Sequence, residues 1–219
     1  MGRPVTSSKP RASDAARRAG WLKQLHSWHW ISSAMCLVGM MLFAITGITL
    51  NHASSIEAKP AIVQKQLQLP AELVAQLRAP DAAKDEKKPV PAPLREWMGK
   101  HLDRSFDAAT DAEWTPDEIY VAQPRPGGDA WLRIDRQSGA AEYESTDRGW
   151  ISYLNDLHKG RHTGTVWSWF LDIFAVACLV FCITGLLILK YHATHRPSTW
   201  PLVGIGFVLP ALLALLLIH

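Results

Sequence analysis

The chain has 219 residues, 48% of them hydrophobic, and a formal net charge of +3. These averages fit a soluble or a membrane protein, so the distribution of the apolar residues along the chain decides the class. The three cysteines all fall in apolar segments, which excludes a disulfide framework in the polar part of the chain. No glycine-rich phosphate loop follows a predicted strand, so we expect neither nicotinamide nor flavin binding.

The N-terminal quarter of the chain predicts a tail followed by a first membrane span. Residues 1–20 are basic and rich in Ser and Ala, which favours a disordered tail. Residues 21–52 form a tryptophan-rich lead-in and transmembrane helix 1, because the stretch 31–50 carries no charge and about twenty residues cross a bilayer core. A cleaved signal peptide is disfavoured, since the apolar stretch is too long and no small-x-small site follows it.

Residues 53–157 are polar and predict a small α+β domain inserted between helices 1 and 2. Short helices are expected at 70–78 and 94–102, on either side of a Pro-rich linker at 79–93. The segments EIYVAQ, AWLRID and AAEYES alternate apolar and polar residues and are separated by turn residues. They predict a meander of about three strands.

Two further spans follow, which gives a membrane α-helical fold with three transmembrane helices. Residues 158–192 predict transmembrane helix 2, and residues 193–219 predict a cytoplasmic turn and transmembrane helix 3. Basic residues precede span 1 and occupy the turn after span 2, which favours a cytoplasmic N-terminus and an extracytoplasmic, periplasmic α+β domain. We therefore expect a multi-pass protein of the bacterial inner membrane.

The first two spans share an internal repeat. Span 1 ends FAITGITLNH (43–52) and span 2 ends FCITGLLILKYH (181–192), and each is preceded by a histidine pair, in LHSWH (25–29) and LHKGRH (157–162). Antiparallel spans make such a repeat an inverted one, which places equivalent sites near opposite faces of the membrane.

Histidines crowd both ends of the two spans. Bis-histidine ligation of haem iron needs one imidazole from each side of the ring, although zinc or copper also accepts imidazole. A single histidine at a membrane boundary is more simply a polar residue where water begins. His29 and His52 are about 35 Å apart on a straight helix, so one haem cannot use both. The cofactor-binding candidates are His26, His29, His52, His158, His162 and His192.

The spacing predicts two sites formed across the helices. One pairs His52 with His158 or His162, and the other pairs His26 or His29 with His192. A small or polar face on span 1, formed by His29, Ser33, Cys36, Met40, Gly47 and Asn51, suits close approach of a flat ring or ordinary helix packing.

Asp172 is a separate candidate because a carboxylate within a span is costly. It could relay protons or hydrogen-bond a haem propionate or an indole. Hydration near the interface, or pairing with Arg161, is the equally weighted alternative.

These motifs resemble the PepSY-associated transmembrane helix family. LHSW, the two ITG segments and LHKGRHTG carry the likeness in the spans, and WLRIDRQSGAAEY resembles the strand–turn–strand of a PepSY-type domain. The resemblance implies a relation to inner-membrane ferric-siderophore reductases with b-type haems, with His26 and His158 as matching ligands. Those reductases are longer and have four or more spans. A homodimer, a partner membrane subunit or loss of haem would account for the shorter chain.

The resulting functional hypothesis is a membrane b-type cytochrome that carries two haems b and passes electrons from the cytoplasmic side to a periplasmic acceptor. Its iron ligands would be His52 with His158 and His26 with His192, and its acceptor a ferric siderophore received near Trp131, Arg133, Arg148 and Trp150. It would act as a haem-dependent ferric reductase or as an electron-transfer subunit. We expect contact with the lipid bilayer and no nucleic acid. The alternatives are a haem-free PepSY scaffold or regulatory and assembly subunit, and an accessory for metal-ion transport.

Overall fold

The computed structural model describes residues 11–56, 59–78, 86–102, 106 and 110–218, and these form two units. The helical unit comprises residues 1–42 and 169–219, and the sheet unit comprises residues 43–168. The first half of the predicted tail and part of the predicted 79–93 linker, residues 1–10 and 79–85, lie outside the described residues.

Three helices are long and apolar enough to cross a membrane, as predicted. They are α1 (Arg11–Asn51), α5 (Gly164–His192) and α6 (Thr199–Leu217), and a short 3-10 helix, Ala193–His195, separates the last two. α1 begins at Arg11, so residues 11–20 are helical rather than disordered. With 41 residues, α1 is about 60 Å long and exceeds the roughly 30 Å that a bilayer core requires.

α1 and α5 pack closely within the helical unit. Leu25, Ser32 and Cys36 are buried on α1, and a Cβ built on Gly39 would lie 2.4 Å from the Phe174 ring on α5. Of the predicted small or polar face, Cys36 is buried, Met40 and Asn51 are exposed, and the rest is half-buried. α6 buries none of its residues, so its whole apolar surface is open to lipid or to another protein.

The sheet unit contains one six-stranded sheet in which every hydrogen-bonded neighbour is antiparallel. The strands are β1 (Ala61–Gln68), β2 (Glu86–Pro89), β3 (Asp111–Trp114), β4 (Glu118–Ala122), β5 (Gly128–Asp135) and β6 (Ala140–Asp147). Their order in the sheet is β1-β6-β5-β4-β3-β2. The predicted meander is present as β4, β5 and β6, which are adjacent in the sheet.

Two short helices complete the core on one face of the sheet. They are α2 (Ala71–Leu77) and α3 (Ala92–Leu102), close to the two predicted helices. Alternate residues of β4 and β5 point inward, so Ile119 and Leu132 join Met98 of α3 in one apolar cluster. Each fully buried side chain of this size contributes about 1.5–3 kcal/mol. The segment 86–89, predicted to be linker, is instead an edge strand.

The predicted continuous helix 158–192 is broken in the structure. α4 (Gly149–Lys159) ends at Gly160 with φ 65°, and α5 begins at Gly164 with φ 78°. His162 lies in the intervening turn with φ 57°. Glycine adopts such left-handed backbone at little cost, which makes this an effective helix stop. His158 therefore belongs to α4 and not to the predicted continuous helix 158–192.

Candidate cofactor site

His26 on α1 and His192 at the end of α5 are brought together in the helical unit. Their ring centres are 6.2 Å apart and their planes are nearly perpendicular, at 85°. Both side chains are exposed. The sequence predicted that His192 would meet either His26 or His29, and in the structure the ring contact is with His26.

Both histidines of this pair have the same local hydrogen bond. Nδ1 of His26 lies 2.8 Å from the Leu22 carbonyl oxygen, and Nδ1 of His192 lies 2.9 Å from that of Ile188. A carbonyl oxygen can only accept, so Nδ1 must carry the proton in each ring. The lone pair of each neutral imidazole is then on Nε2, which is the nitrogen able to bind a metal.

The histidine pair opens on a cleft of about 360 Å³, which is within the range of ligand sites. Ile188 and Leu189 give it an apolar wall, and Arg196 and Thr199 add polar groups. Two imidazoles that bind one metal ion from opposite sides, at about 2 Å each, hold their ring centres roughly 6 Å apart. The ring separation and the Nδ1–H bonds thus meet two requirements of a haem held by two histidines, and Arg196 adds a cation to the same cleft.

His29 does not join the pair but packs against α5. Its ring stacks on Phe181 with centres 4.7 Å apart and planes at 15°. Its Nδ1 lies 3.1 Å from Thr184 Oγ1 and 3.2 Å from the Phe181 carbonyl oxygen. A Cβ on Gly185 would be 3.1 Å from the imidazole Cε1, so the missing side chain makes room for the ring. We call Phe181, Thr184 and Gly185 the 181–185 cradle.

An equivalent arrangement holds His158 in the sheet unit. Its ring centre is 4.7 Å from that of Phe43, and its Nδ1 is 2.6 Å from Thr46 Oγ1. A Cβ on Gly47 would be 3.8 Å from its Cε1. We call Phe43, Thr46 and Gly47 the 43–47 cradle.

The remaining predicted site residues are separate. His52 is exposed and its Nδ1 bonds to the Ile48 carbonyl of its own helix at 3.0 Å. Within the described residues, no hydrogen bond or ring contact joins His52 to His158 or His162. Asp172 is exposed on α5. Arg161, its predicted alternative partner, has its Nε 3.8 Å from Oδ1 of Asp156. Among residues 11–56, 59–78, 86–102, 106 and 110–218, no three His, Cys, Asp or Glu side chains cluster as a metal site.

Sequence reasoning missed the partners that hold His29 and His158. Thr46 and Thr184 occupy the same place in the repeated FAITG and FCITG segments, so the repeat itself was the available signal. In the sequence the repeat predicts only the ends of the spans, whereas in the structure it contacts an imidazole. The matched LH dipeptides pointed to His26 as the equivalent of His158, whereas the contacts make His29 equivalent.

The three apolar helices are those of a multi-pass membrane protein, and along the chain the six-stranded sheet follows the first of them and precedes the other two. The chain belongs to the PepSY_TM-like family, whose family model matches residues 20–219. Comparisons with curated proteins and with solved structures return no match.

Proposed function

We propose that this protein is a b-type cytochrome of the bacterial inner membrane that passes electrons to a periplasmic acceptor. The observation that carries the proposal is the pair His26 and His192, whose ring centres are 6.2 Å apart on two membrane-length helices. Haem bound there would supply one-electron oxidation and reduction. The relation of the PepSY-associated families to ferric-siderophore reductases makes a ferric siderophore the proposed acceptor.

The chain's own residues account for binding and orientation of the porphyrin. Carbonyls of Leu22 and Ile188 orient the two imidazoles through Nδ1–H, so Nε2 of each neutral ring is the nitrogen that would bind iron. The cleft is exposed, which means that a second copy or a partner subunit would have to cover the rest of the ring. Bundles that enclose a haem commonly use about four helices.

Orientation follows from the basic residues that flank the helices. Arg17, Arg18 and Lys23 precede the apolar part of α1, and Lys190 and Arg196 flank the end of α5. Short basic flanks remain on the cytoplasmic side. The His26–His192 pair is therefore the proposed cytoplasmic site, and His158 the proposed ligand of a second haem on the periplasmic side.

A pocket in the sheet unit supports a role for that unit in receiving the acceptor. Lys59, Arg148 and Trp150 line a cavity of about 250 Å³, and Trp150 is 72% exposed. Positive charge and an aromatic face attract anionic, aromatic chelates. Arg148 also donates to Asp129 at 2.6 Å, so its charge is partly compensated.

The test is the visible spectrum of the full-length protein purified in mild detergent. We expect a Soret band, and sharp α and β bands on reduction, that weaken strongly in His192→Gln and His26→Gln. His101→Gln is the matched control, because His101 has the same Nδ1 bond to the carbonyl four residues earlier, at 2.8 Å, but stacks on Trp97. A colourless folded wild-type protein would overturn the proposal.

A haem-free scaffold is the second candidate, and the edge of the sheet favours it. β1 ends the strand order and exposes Ile62 and Val63, at 55% and 51%. An exposed apolar edge strand can pair with a strand of another protein. The same spectrum separates the two functions, since a scaffold would be colourless.

A further inference from the structure

We infer that Thr184 and Thr46 are matched positioning residues, which fix His29 and His158 as the Nδ1–H tautomer and leave Nε2 as the nitrogen with the lone pair. The identity of the metal that Nε2 of His158 would bind, haem iron, rests on the proposed function, which assigns no metal to His29. The positions of the two rings and of the two threonines do not rest on it.

The proton assignment follows from the second contact of each hydroxyl. Thr184 Oγ1 donates to the Val180 carbonyl at 2.7 Å, and Thr46 Oγ1 donates to the Phe43 carbonyl at 3.2 Å. A hydroxyl has one proton, so, when that proton is directed to the carbonyl of its own helix, the oxygen can only accept from the imidazole. Nδ1 is then the donor in both rings. At His29, the Phe181 carbonyl, 3.2 Å away, requires the same tautomer.

The shape of each cradle supports the same function for both. The aromatic residue three positions before the threonine contacts the imidazole at the same centre distance, 4.7 Å, in both cradles. The glycine after each threonine faces Cε1 of the ring. Both threonines are buried, at 7% for Thr184 and 9% for Thr46. The Phe, Thr and Gly of the F-x-I-T-G segment thus make the same contacts with an imidazole on two different helices.

This arrangement is the one that metal-binding histidines use. A ligating imidazole almost always donates its other N–H to an oxygen, which fixes the tautomer and the ring orientation. Loss of that partner typically costs about 10- to 100-fold in metal affinity. Side-chain packing alone does not require one particular tautomer. Measuring the tautomer therefore separates a positioning role from packing.

The experiment is ¹⁵N NMR of histidine-labelled, cofactor-free, full-length protein in lipid nanodiscs, at alkaline pH where imidazoles are neutral. His29→Gln and His158→Gln assign the two signals. We expect Nδ1–H for both in the wild-type protein, and this measurement requires no threonine variant to fold. Nε2–H as the main form of either ring would overturn the inference.

Threonine variants test the cause. Among the residues that the structure describes, Thr46 Oγ1 is the side-chain hydroxyl bonded to His158, so Thr46→Val should make Nε2–H its main form, without effect on His29. Thr46→Ser keeps the hydroxyl and should keep Nδ1–H. Thr184→Val should shift His29 only in part, because the Phe181 carbonyl remains. An unchanged His158 tautomer in a folded Thr46→Val protein would contradict the inference.

The two proposals can fail separately. Nδ1–H tautomers in a protein that never binds haem would refute the proposed function and leave the positioning role intact. For protein that does bind haem, retention during titration with apomyoglobin should fall about 10- to 100-fold in Thr46→Val, and much less in Thr46→Ser. Equal retention in both variants would refute the positioning role at His158.

Discussion

At the scale of single residues, hydrogen bonds to oxygen decide which atoms are available. The carbonyls of Leu22 and Ile188 and the hydroxyls of Thr46 and Thr184 all contact a histidine Nδ1. In the turn after β5, the Asp135 carboxylate accepts hydrogen bonds from the backbone N–H groups of Gln137 and Ser138. The sequence identified that turn from its RQSG residues, because turn chemistry is local.

The first prediction concerns Asp135. The backbone N–H of Ser138, then its hydroxyl, and the N–H of Gln137 lower the pKa of this carboxyl. Because the pKa of Asp135 is lower in the folded protein, its ionised form stabilises the fold fully above the unfolded-state pKa of about 4. This stabilisation is lost as the pH falls through the folded-state pKa. We therefore expect Asp135→Asn to destabilise the sheet at neutral pH, with the difference from wild type vanishing in acid.

Hydrogen–deuterium exchange of residues 118–147 in the full-length protein, corrected for intrinsic rates, measures this effect. Glu142→Gln is the control, because Glu142 is exposed on neighbouring β6. A difference between Asp135→Asn and wild type that persists at the lowest pH would contradict the assignment.

At the scale of elements, the sequence predicted those that have a local pattern. The three apolar spans and the strands β4 to β6 were foreseen from hydropathy and alternation. β1, β2 and β3 were missed, because AIVQKQLQ and EKKP do not alternate cleanly and DAEW has only four residues. β1 and β2 form by pairing with β6 and β3, a tertiary cause that the local sequence does not show.

The second prediction concerns the packing of α1 on α5. Gly39→Leu would drive a side chain into Phe174, where even a Cβ would be 2.4 Å from the ring. We expect destabilisation of about 1–3 kcal/mol, typical of overpacking, and loss of haem as the helices part. Gly204→Leu on α6 is the control, since no atom lies within 4 Å of its Cβ position. Thermal unfolding in detergent measures both, and equal effects would contradict the packing.

At the scale of the whole molecule, the sequence predicted that His192 would meet His26 or His29 at the span ends, but not which of the two. The choice between His26 and His29 depends on helix rotation, at about 100° per residue, and on the side chains of α5. The break at residues 160–163 also detaches His158 from α5, which no spacing argument could anticipate. Tertiary packing decides which histidines meet in a helix bundle, so the pair could be identified only from the structure.

The most direct test of the central claim, that His26 and His192 bind one haem iron, is low-temperature EPR of the oxidised full-length protein. Ring planes at 85° predict a strongly anisotropic low-spin ferric signal, unlike the rhombic signal of near-parallel imidazoles. His192→Gln should remove the contribution of this haem, leaving at most the signal of the second haem proposed at His158, and His101→Gln should retain the full signal. A high-spin signal alone, or an undiminished low-spin signal in His192→Gln, would contradict the account.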